Sequence, residues 1–339
     1  MKSGVNIRAA QEGDAEKILS LFENVFGFSR GTEHHRWKFL KNPTGSQLVV
    51  VAETEQGDIV GQYALWPVML QLGKQKYLGA QSLDTVIHSD FRGQGLFMTL
   101  ANASYELAVA QGVKVLYGFP NANSYGGFIR RLNWDHTGDV PYLVRPIRPG
   151  LYRRIPWWLA PAANVASRFF PRGVAKGYQI SFEIPSDEEL EQLFAMSAKH
   201  KGVCRVARSA QWERWRFAEE SGQDYRWVVA RKEGLILAAC VIGRNPVNEA
   251  LTLSELLGEN PEALQAVLSA VIKTAFAAKV PFITTLTSIP EYLVALRHVG
   301  FIRARRLPFI VRALSGDLLD ANIHVHDSWR LFGADLDTL

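Results

Sequence analysis

Hydrophobic positions along the chain follow two different periods. Between residues 14 and 26 they recur at the spacing of one helix face, whereas residues 48–53 and 59–72 form dense β-type runs on either side of a polar Gly-Asp turn. Residues 82–88 and 113–119 also have strand character, and an amphipathic helix is predicted between them. The pattern therefore predicts a globular chain that mixes strands and helices.

After residue 180 the same pattern begins again. Trp215-Arg216-Phe217 is similar to Trp37-Lys38-Phe39, and Val229-Ala230 matches Val51-Ala52. Both pairs are separated by 178 residues (215 − 37 and 229 − 51). Because a constant offset over two elements is typical of repeated structural units, we expect an internal duplication.

A basic and glycine-rich turn, Arg92-Gly93-Gln94-Gly95-Leu96-Phe97, joins the strand at 82–88 to the helix that follows it. Two glycines so close together let the backbone curl, and the first turn of a helix offers N–H groups without partners within the helix. Such a turn is suited to an anion, most often a phosphate. It is neither a Walker loop nor the three-glycine dinucleotide turn.

The stretch Ile87-His88-Ser89-Asp90-Phe91, the turn and the helix together resemble motif A of the GNAT superfamily of acyl-CoA-dependent N-acyltransferases, written (Gln/Arg)-x-x-Gly-x-(Gly/Ala). Phe97 departs from the small residue usual at its position. The resemblance implies an α/β (α+β) fold with a mixed, mainly antiparallel sheet flanked by helices, here duplicated in tandem. It also implies acetyl-CoA as the co-substrate.

The resemblance implies a set of residues that contact the cofactor through the strand end, the turn and the start of the next helix. They are Val86, Ile87, Arg92, Gly93, Gln94, Gly95, Leu96, Phe97 and Asn121.

Candidates for proton transfer border the same cleft. Asp84 and His88 share one strand face if the alternation is regular, and either is a candidate base or a structural residue. The family's tyrosine is replaced by Phe128, and Tyr125, one helical turn earlier, is a candidate acid or a packing residue. No metal is expected, because the adjacent His34 and His35 lack acidic or cysteine partners at ligand spacing.

The second half lacks the anion-binding turn. At the head of the corresponding helix stands Glu259-Asn260-Pro261-Glu262, whose acids would repel a pyrophosphate. We therefore predict an acyl-CoA-binding N-terminal GNAT domain (1–145), a linker (146–178) and a degenerate GNAT-like domain (179–339).

The linker is rich in arginine, proline and aromatic residues, and it has no Asp or Glu. Two interpretations are open: a basic aromatic patch that touches an anionic membrane or polyanion, or a connection whose aromatic residues pack between the domains. The second is favoured, with a short helix over 157–170, and stable membrane insertion is not expected.

The composition of the chain limits the class of protein and the cellular location that can be expected. The chain has 339 residues, 47% of them hydrophobic, and a net charge of +5, which does not by itself indicate nucleic acid binding. Two cysteines exclude a disulfide framework, and the N-terminus lacks an apolar signal core, so a cytoplasmic location is expected. A homodimer remains open.

The expected activity is transfer of an acetyl group from acetyl-CoA to a primary amine of a small molecule, amino sugar or peptide, by direct attack. One alternative is a non-catalytic acyl-CoA-binding or scaffold protein, because the family's tyrosine is missing. The other is a tRNA-dependent aminoacyl transferase of the tandem GNAT-like type, which would not need the turn at Arg92–Gly95.

Overall fold

The structure of the protein is a computed structural model. It describes residues 4–27, 30–45, 47–174, 176–197, 203–245, 249–318 and 322–337.

Helices and strands alternate along both halves of the chain. The strands are β1 (Val5–Ala9), β2 (Leu48–Thr54), β3 (Ile59–Leu72), β4 (Gln75–Ile87), β5 (Val115–Gly118), β6 (Asp135–Pro146), β7 (Gln179–Ser181), β8 (Cys204–Val206), β9 (Arg226–Lys232), β10 (Leu235–Arg244), β11 (Leu251–Leu257), β12 (Phe282–Leu286) and β13 (Ile302–Ala313). The helices are α1 (Ala15–Phe26), α2 (Thr32–Phe39), α3 (Leu96–Ala110), α4 (Ala122–Arg131), α5 (Ala160–Ser167), α6 (Asp187–Ser197), α7 (Ala210–Arg216), α8 (Pro261–Ala277) and α9 (Pro290–His298).

The described strands form one continuous sheet in the order β1-β2-β3-β4-β5-β13-β6-β12-β11-β10-β9-β7, with β8 added beside β3. Among these strand pairs, β4 with β5 and β11 with β12 run parallel, and the others run antiparallel. The predicted mixed, mainly antiparallel sheet flanked by helices is confirmed.

The two halves exchange their last strands. Strand β13, from the end of the chain, pairs with β5, and β6, from the first half, pairs with β12. The two exchanged strands also pair with each other along most of their length. The sheet of each half is therefore completed by a strand of the other half.

The order of elements repeats as the sequence predicts. Strands β2–β3–β4, helix α3, strand β5, helix α4 and strand β6 are followed later by β9–β10–β11, α8, β12, α9 and β13 in the same order. The equivalent tryptophans meet at the centre: Trp37 Nε1 donates to the carbonyl of Trp215 at 2.6 Å, and Trp215 Nε1 donates to that of Trp37 at 2.9 Å. Their rings stack at 5.5 Å between centroids.

The segment between the halves differs from the favoured prediction. Trp157 and Phe169 are 86% and 84% exposed, and Trp158 is 63% exposed, so these aromatic side chains are not packed between the halves. Phe170 does contact the body of the protein, beneath the guanidinium of Arg145. The prediction of a buried aromatic connector is wrong for most of its aromatic residues. None of the described helices has the length and apolar character needed to cross a bilayer.

Candidate active site

A cleft opens where strands β4 and β5 separate. The two strands pair from Gly79–Ser82 with Val115–Gly118, after which β5 ends while β4 continues to Ile87. The gap leads into a cavity of about 320 Å³. Because β4 has lost its partner there, its backbone edge can receive a ligand.

A bulge in β4 lies at the point of separation. Gln62 pairs with Val86 and Ala64 pairs with Leu83, so Asp84 and Thr85 together face one residue of β3. Asp84 has a φ of 45°, which a non-glycine residue rarely adopts. The bulge interrupts the alternation: Leu83 and Val86 pack into the same core cluster although they are three residues apart. The regular spacing assumed for Asp84 and His88 is therefore broken.

The glycine turn stands between the end of β4 and the start of α3. Gly93 and Gly95 have φ values of 75° and 80°, in the left-handed region that favours glycine. The backbone N–H groups of Gly93, Gln94 and Gly95 donate no hydrogen bond to any described residue. They are available to an anion, and the N-terminal end of α3 adds its dipole.

Side chains of the turn hold it in place. Arg92 Nε donates to the carbonyl of Ile87 at 3.0 Å, and Gln94 Nε2 donates to that of Asp90 at 3.0 Å. The ring of Phe97 packs edge-to-face on Phe128, 5.6 Å between centroids. A Cβ at Gly127 would lie 3.0 Å from the Phe97 ring, so this glycine makes room for the aromatic residue. Phe97 therefore joins α3 to α4.

Helix α4 begins on the other side of the cleft. Asn121 caps it, with Oδ1 accepting from the N–H groups of Asn123 and Ser124, each at 3.0 Å. Asn121, Ser124 and Phe128 line the cleft. Tyr125 is not among the lining residues of the described chain: its hydroxyl lies 3.1 Å from Nδ1 of His136 on β6.

Asp84 is one of the charged residues that line this cleft. Lys38 Nζ and Arg30 Nη1 each lie 2.7 Å from its Oδ2. Burial alone would raise its pKa, but the charges and hydrogen bonds of Lys38 and Arg30 lower the pKa to about 2. Asp84 is therefore held as a carboxylate at neutral pH.

Lys38 also reaches the end of the chain. Its Nζ donates to Asp337 Oδ2 at 2.9 Å, and its side chain is only 3% exposed. Asp337 lines the cleft together with Asp84. The second half thus contributes Asp337, Leu336 and Ile310 to a cleft whose other lining residues come from the first half.

His88, Val86 and Ile87 lie just outside the cavity. His88 caps a 3-10 turn, where its Nδ1 accepts from the N–H of Asp90 at 3.4 Å, and its side chain is 33% exposed. Val86 and Ile87 pair with β3, and their side chains pack on opposite faces of the sheet. Among the predicted site residues, the structure brings Asp84 and Asn121 together in the lining of the cleft.

The equivalent gap in the second half is filled by the chain itself. Strand β11 also has a bulge, at Ser254, and separates from β12 after Thr252 and Thr284. Residues 331–333 occupy the gap: Ser288 N donates to the carbonyl of Leu331 at 3.0 Å, and a Cβ at Gly333 would lie 3.0 Å from the carbonyl oxygen of Ser254. The backbone edges that a pantetheine arm would use are partly occupied there.

No glycine turn precedes α8 in the described chain. Only residues 258–260 connect β11 to this helix, and the side chain of Asn260 caps it by accepting from the N–H of Ala263 at 2.9 Å. Glu262 stands in its first turn. An N-terminus that is capped by its own residue and carries an acid is not suited to a phosphate group.

A larger cavity of about 600 Å³ adjoins the filled gap. On its wall, Arg208 lies 2.7 Å from Asp335 and 2.8 Å from Glu255, and 3.3 Å from the buried Glu213. Burial and the neighbouring carboxylate raise the pKa of Glu213 well above its usual value. This cluster links α7, β11 and the C-terminal segment, and a structural role accounts for it.

Sequence reasoning missed Arg30 and Ser124, which line the cleft, and Lys38, which contacts Asp84. Lys38 lies beside Trp37 in the repeated motif. The repeat indicates that this position is equivalent in the two halves, but it does not indicate a function for Lys38. Its role depends on Asp84 and Asp337, which are distant in sequence. In the described residues, no group of three or more His, Cys, Asp or Glu side chains is arranged to hold a metal ion.

A parallel strand pair that separates beside a glycine turn is the arrangement expected for acyl-CoA-dependent transferases. The family comparison agrees: residues 6–137 match the model of the acetyltransferase (GNAT) domain. This part of the chain is therefore similar to GNAT acetyltransferase domains, and the match supports acyl transfer as the general class of activity.

Solved structures share the fold over nearly the whole chain. A GCN5-related N-acetyltransferase from Anabaena variabilis matches with a TM-score of 0.65 and 12% identity, covering 92% of this chain and 73% of its own. Saccharomyces cerevisiae N-myristoyltransferase with bound myristoyl-CoA matches with a TM-score of 0.66 and 13% identity, covering 92% and 83%. A probable N-acyltransferase from Enterococcus faecalis has a TM-score of 0.66 and 12% identity, with 92% and 73% covered. No curated protein matches the chain by sequence.

Proposed function

We propose that the protein is an N-acetyltransferase that moves an acetyl group from acetyl-CoA to a primary amine of a small molecule, amino sugar or peptide. The observation that carries the proposal is the open cleft between β4 and β5, with the available N–H groups of Gly93–Gly95 at its edge. The pyrophosphate binds at this turn and the start of α3. The pantetheine arm lies along the unpaired edge of β4, with Asn121 opposite.

The reaction is direct attack of the amine on the thioester carbon. The new N–C bond forms as the C–S bond breaks, the amine loses a proton, and the thiolate gains one. Backbone N–H groups near Val86 and Ile87 stabilise the developing oxyanion. A covalent acyl-cysteine is not part of the scheme, because Cys204 and Cys240 are both buried.

The groups proposed here for proton transfer differ from those that the sequence predicts, both for the base and for the acid. Because the pKa of Asp84 is lowered to about 2, its carboxylate is a weak proton acceptor, and it serves to orient Lys38 and to attract the substrate ammonium. Water beside Asp84 and Asp337 carries the proton away. The hydroxyl of Ser124, in the lining of the cleft, passes a proton to the thiolate while it takes one from water, whereas the Tyr125 hydroxyl contacts His136 outside that lining.

The second half is proposed to be a diverged copy that binds no acyl-CoA. Its gap is occupied by residues 331–333, and the head of α8 is capped and acidic. The C-terminal segment instead delivers Asp337 to the cleft of the first half.

The test combines binding and turnover. Calorimetry with CoA is expected to give one site per chain, and acetyl-CoA with a panel of amines is expected to release free thiol in step with N-acetylated product. Binding without turnover across the panel would favour the scaffold alternative. Turnover that depends on charged tRNA would favour the aminoacyl transferase, and two CoA sites per chain would refute the divergence of the second half.

The acyl group is tested in the same assay. Acetyl-CoA and a long-chain acyl-CoA are compared at equal concentration with the amine that reacts best. Higher kcat/KM for the long chain would correct the acetyl assignment while leaving acyl transfer intact.

A further inference from the structure

Helix α5, between the two halves, carries its apolar residues on the outside. Ala162 and Val165 lie three residues apart on α5, and Trp158 and Phe169 continue the same helical spacing in the turns that flank the helix. All four are exposed, with Trp158 at 63%, Val165 at 52% and Phe169 at 84%. Trp157, 86% exposed, extends this face beyond the helix start. We call these five residues the outer face of α5.

The opposite side of the helix is small and polar, and it is fixed to the body of the protein. Ser167 is buried, and its Oγ donates to the carbonyl of Ile147 at 2.8 Å. Asn164 Oδ1 accepts from the N–H of Gly150 at 2.9 Å. A Cβ at Gly150 would lie 2.6 Å from the carbonyl of Ala160, so the helix is seated closely. These contacts fix the orientation of α5, so its apolar face points away from the body of the protein.

Cations flank the outer face along the sequence. Arg153, Arg154, Arg168 and Arg172 are exposed along the same segment. From Val140 to Phe182 the sequence contains no Asp or Glu. An exposed apolar face with tryptophans, bordered by arginines and free of local acids, has the chemistry of a helix that lies in a membrane interface.

We propose that the outer face of α5 docks on the surface of an anionic lipid bilayer. Trp157, Trp158 and Phe169 would enter the interfacial region while the arginines contact lipid phosphates. The charge complementarity favours an anionic bilayer over an uncharged protein surface. The binding is peripheral, because the helix spans only residues 160–167 and cannot cross a bilayer.

The experiment is sedimentation of the full chain with vesicles, one set of phosphatidylcholine alone and one with added phosphatidylglycerol. We expect binding to the anionic vesicles, weakened by salt, with a blue shift of tryptophan emission. Trp158→Ala/Phe169→Ala should weaken this binding at least tenfold, and Arg153→Glu/Arg154→Glu should do the same. Acetyl transfer to a soluble amine should not change in either variant, since none of these residues lines the cleft.

Matched controls distinguish binding by the outer face of α5 from non-specific hydrophobic binding and from an effect of net charge. Leu235→Ala removes an exposed apolar side chain elsewhere, and Lys74→Glu/Lys273→Glu makes the same change in net charge elsewhere; both should bind vesicles as the unchanged protein does. No binding of the unchanged protein to anionic vesicles would overturn the proposal, as would equal binding by the α5 variants. Self-association in solution that Trp158→Ala/Phe169→Ala abolishes, without vesicle binding, would assign the face to a second copy of the chain instead.

Discussion

The two clefts of the molecule are formed by the same order of elements, but the first is open and the second is filled by the chain itself. In the first half, β4 and β5 separate beside a turn with two left-handed glycines, and the gap is open. In the second half, β11 and β12 separate in the same way, but residues 331–333 fill the gap. The two halves therefore share one framework, and the C-terminal segment fills the gap of the second half.

The C-terminal segment is the physical connection between the clefts. Phe332 bridges to Thr287 in the second half, and Tyr117 of the first half donates to the carbonyl of Asp335 at 3.1 Å. Two residues further on, Asp337 pairs with Lys38. The C-terminal segment that fills the second cleft therefore also provides Asp337 to the first.

The largest expected effect is from Gly95→Asp. A carboxylate there would meet the pyrophosphate at close range, and the φ of 80° disfavours any side chain. Binding of CoA should weaken by more than about 100-fold, roughly 2.7 kcal/mol, measured by calorimetry.

The matched control for that variant is Gly112→Asp. Gly112, just past the other end of α3, has a φ of 84°, and a Cβ placed at either Gly112 or Gly95 would have no described atom within 4 Å. The control carries the same strain and charge away from the turn, so CoA binding should persist. Normal CoA binding by folded Gly95→Asp would place the pyrophosphate site elsewhere.

A second prediction compares the equivalent cations Lys38 and Arg216. Lys38→Met leaves the buried carboxylates of Asp84 and Asp337 without their shared partner, which should cost about 3–5 kcal/mol at pH 7. Arg216→Met removes donors to the carbonyls of Ala334 and Leu336, which should cost about 2–3 kcal/mol. Urea denaturation measures both free energies of unfolding.

The pH dependence distinguishes the two variants. In the unchanged protein the pKa of Asp84 falls from 3.8 to about 2, so the ion pair stabilises the fold above pH 4 and is lost as pH falls toward 2. In Lys38→Met the penalty should shrink as pH is lowered from 7 to 4, because carboxylates left in a buried site protonate more readily. The penalty of Arg216→Met should change less over that range, because its strongest contacts are with backbone carbonyls and its charge interaction with Glu213 is a smaller contribution. A pH-independent penalty for Lys38→Met would contradict the ion-pair account.

The sequence predicted the parts of the fold that depend on local pattern. The turn at 92–97, the start of a helix at Asn121 and the equivalence of Trp37 and Trp215 follow from glycine spacing, from the resemblance and from the repeat. The bulge at Asp84 was missed because regular alternation was assumed for the strand. The exchange of β6 and β13, and the reach of Asp337 to Lys38, depend on contacts between distant residues that no local pattern encodes.

The segment 146–178 shows a different limit of prediction from sequence, namely which side of a helix faces the protein. Aromatic residues are usually buried, and that general tendency favoured a packed connector. The helical spacing of Trp158, Val165 and Phe169 was present in the sequence, but the polar anchors Asn164 and Ser167 decide which side faces inward. Their partners, Ile147 and Gly150, lie in the segment just after β6, so the orientation appears only in the folded chain.

A third prediction concerns the proton donor to the thiolate. Ser124→Ala should lower kcat about 100-fold with little change in CoA binding, because Ser124 lines the cleft and general acid catalysis is of this size. Tyr125→Phe should keep normal kcat, since the Tyr125 hydroxyl contacts His136. Steady-state thiol release measures both, and the reverse ranking would restore Tyr125 as the acid.

A fourth and smaller effect is expected at His88. Its side chain is partly exposed, and it caps a 3-10 turn outside the cavity, so His88→Ala should change kcat by less than about threefold and stability by about 1 kcal/mol or less. Asp84→Asn is the contrast: it should lower kcat far more, because the carboxylate of Asp84 lines the cleft and pairs with Lys38 and Arg30. A large loss of kcat in His88→Ala, with an unchanged melting temperature, would identify His88 as the base.

The smallest expected effect is from the double substitution Cys204→Ala/Cys240→Ala. Burial raises the pKa of the Cys204 thiol to about 12, and it raises that of Cys240 as well, so neither is a thiolate nucleophile at neutral pH. Neither residue lines the open cleft, and Cys240 lies on β10 in the half whose gap is filled. The variant should lose some stability through two small cavities, yet its kcat per folded molecule should equal that of the unchanged protein. Mass spectrometry of the protein after incubation with acetyl-CoA alone should show no acetylated cysteine. An inactive but folded variant, or an acetyl-cysteine that is consumed when amine is added, would replace direct transfer by a two-step route.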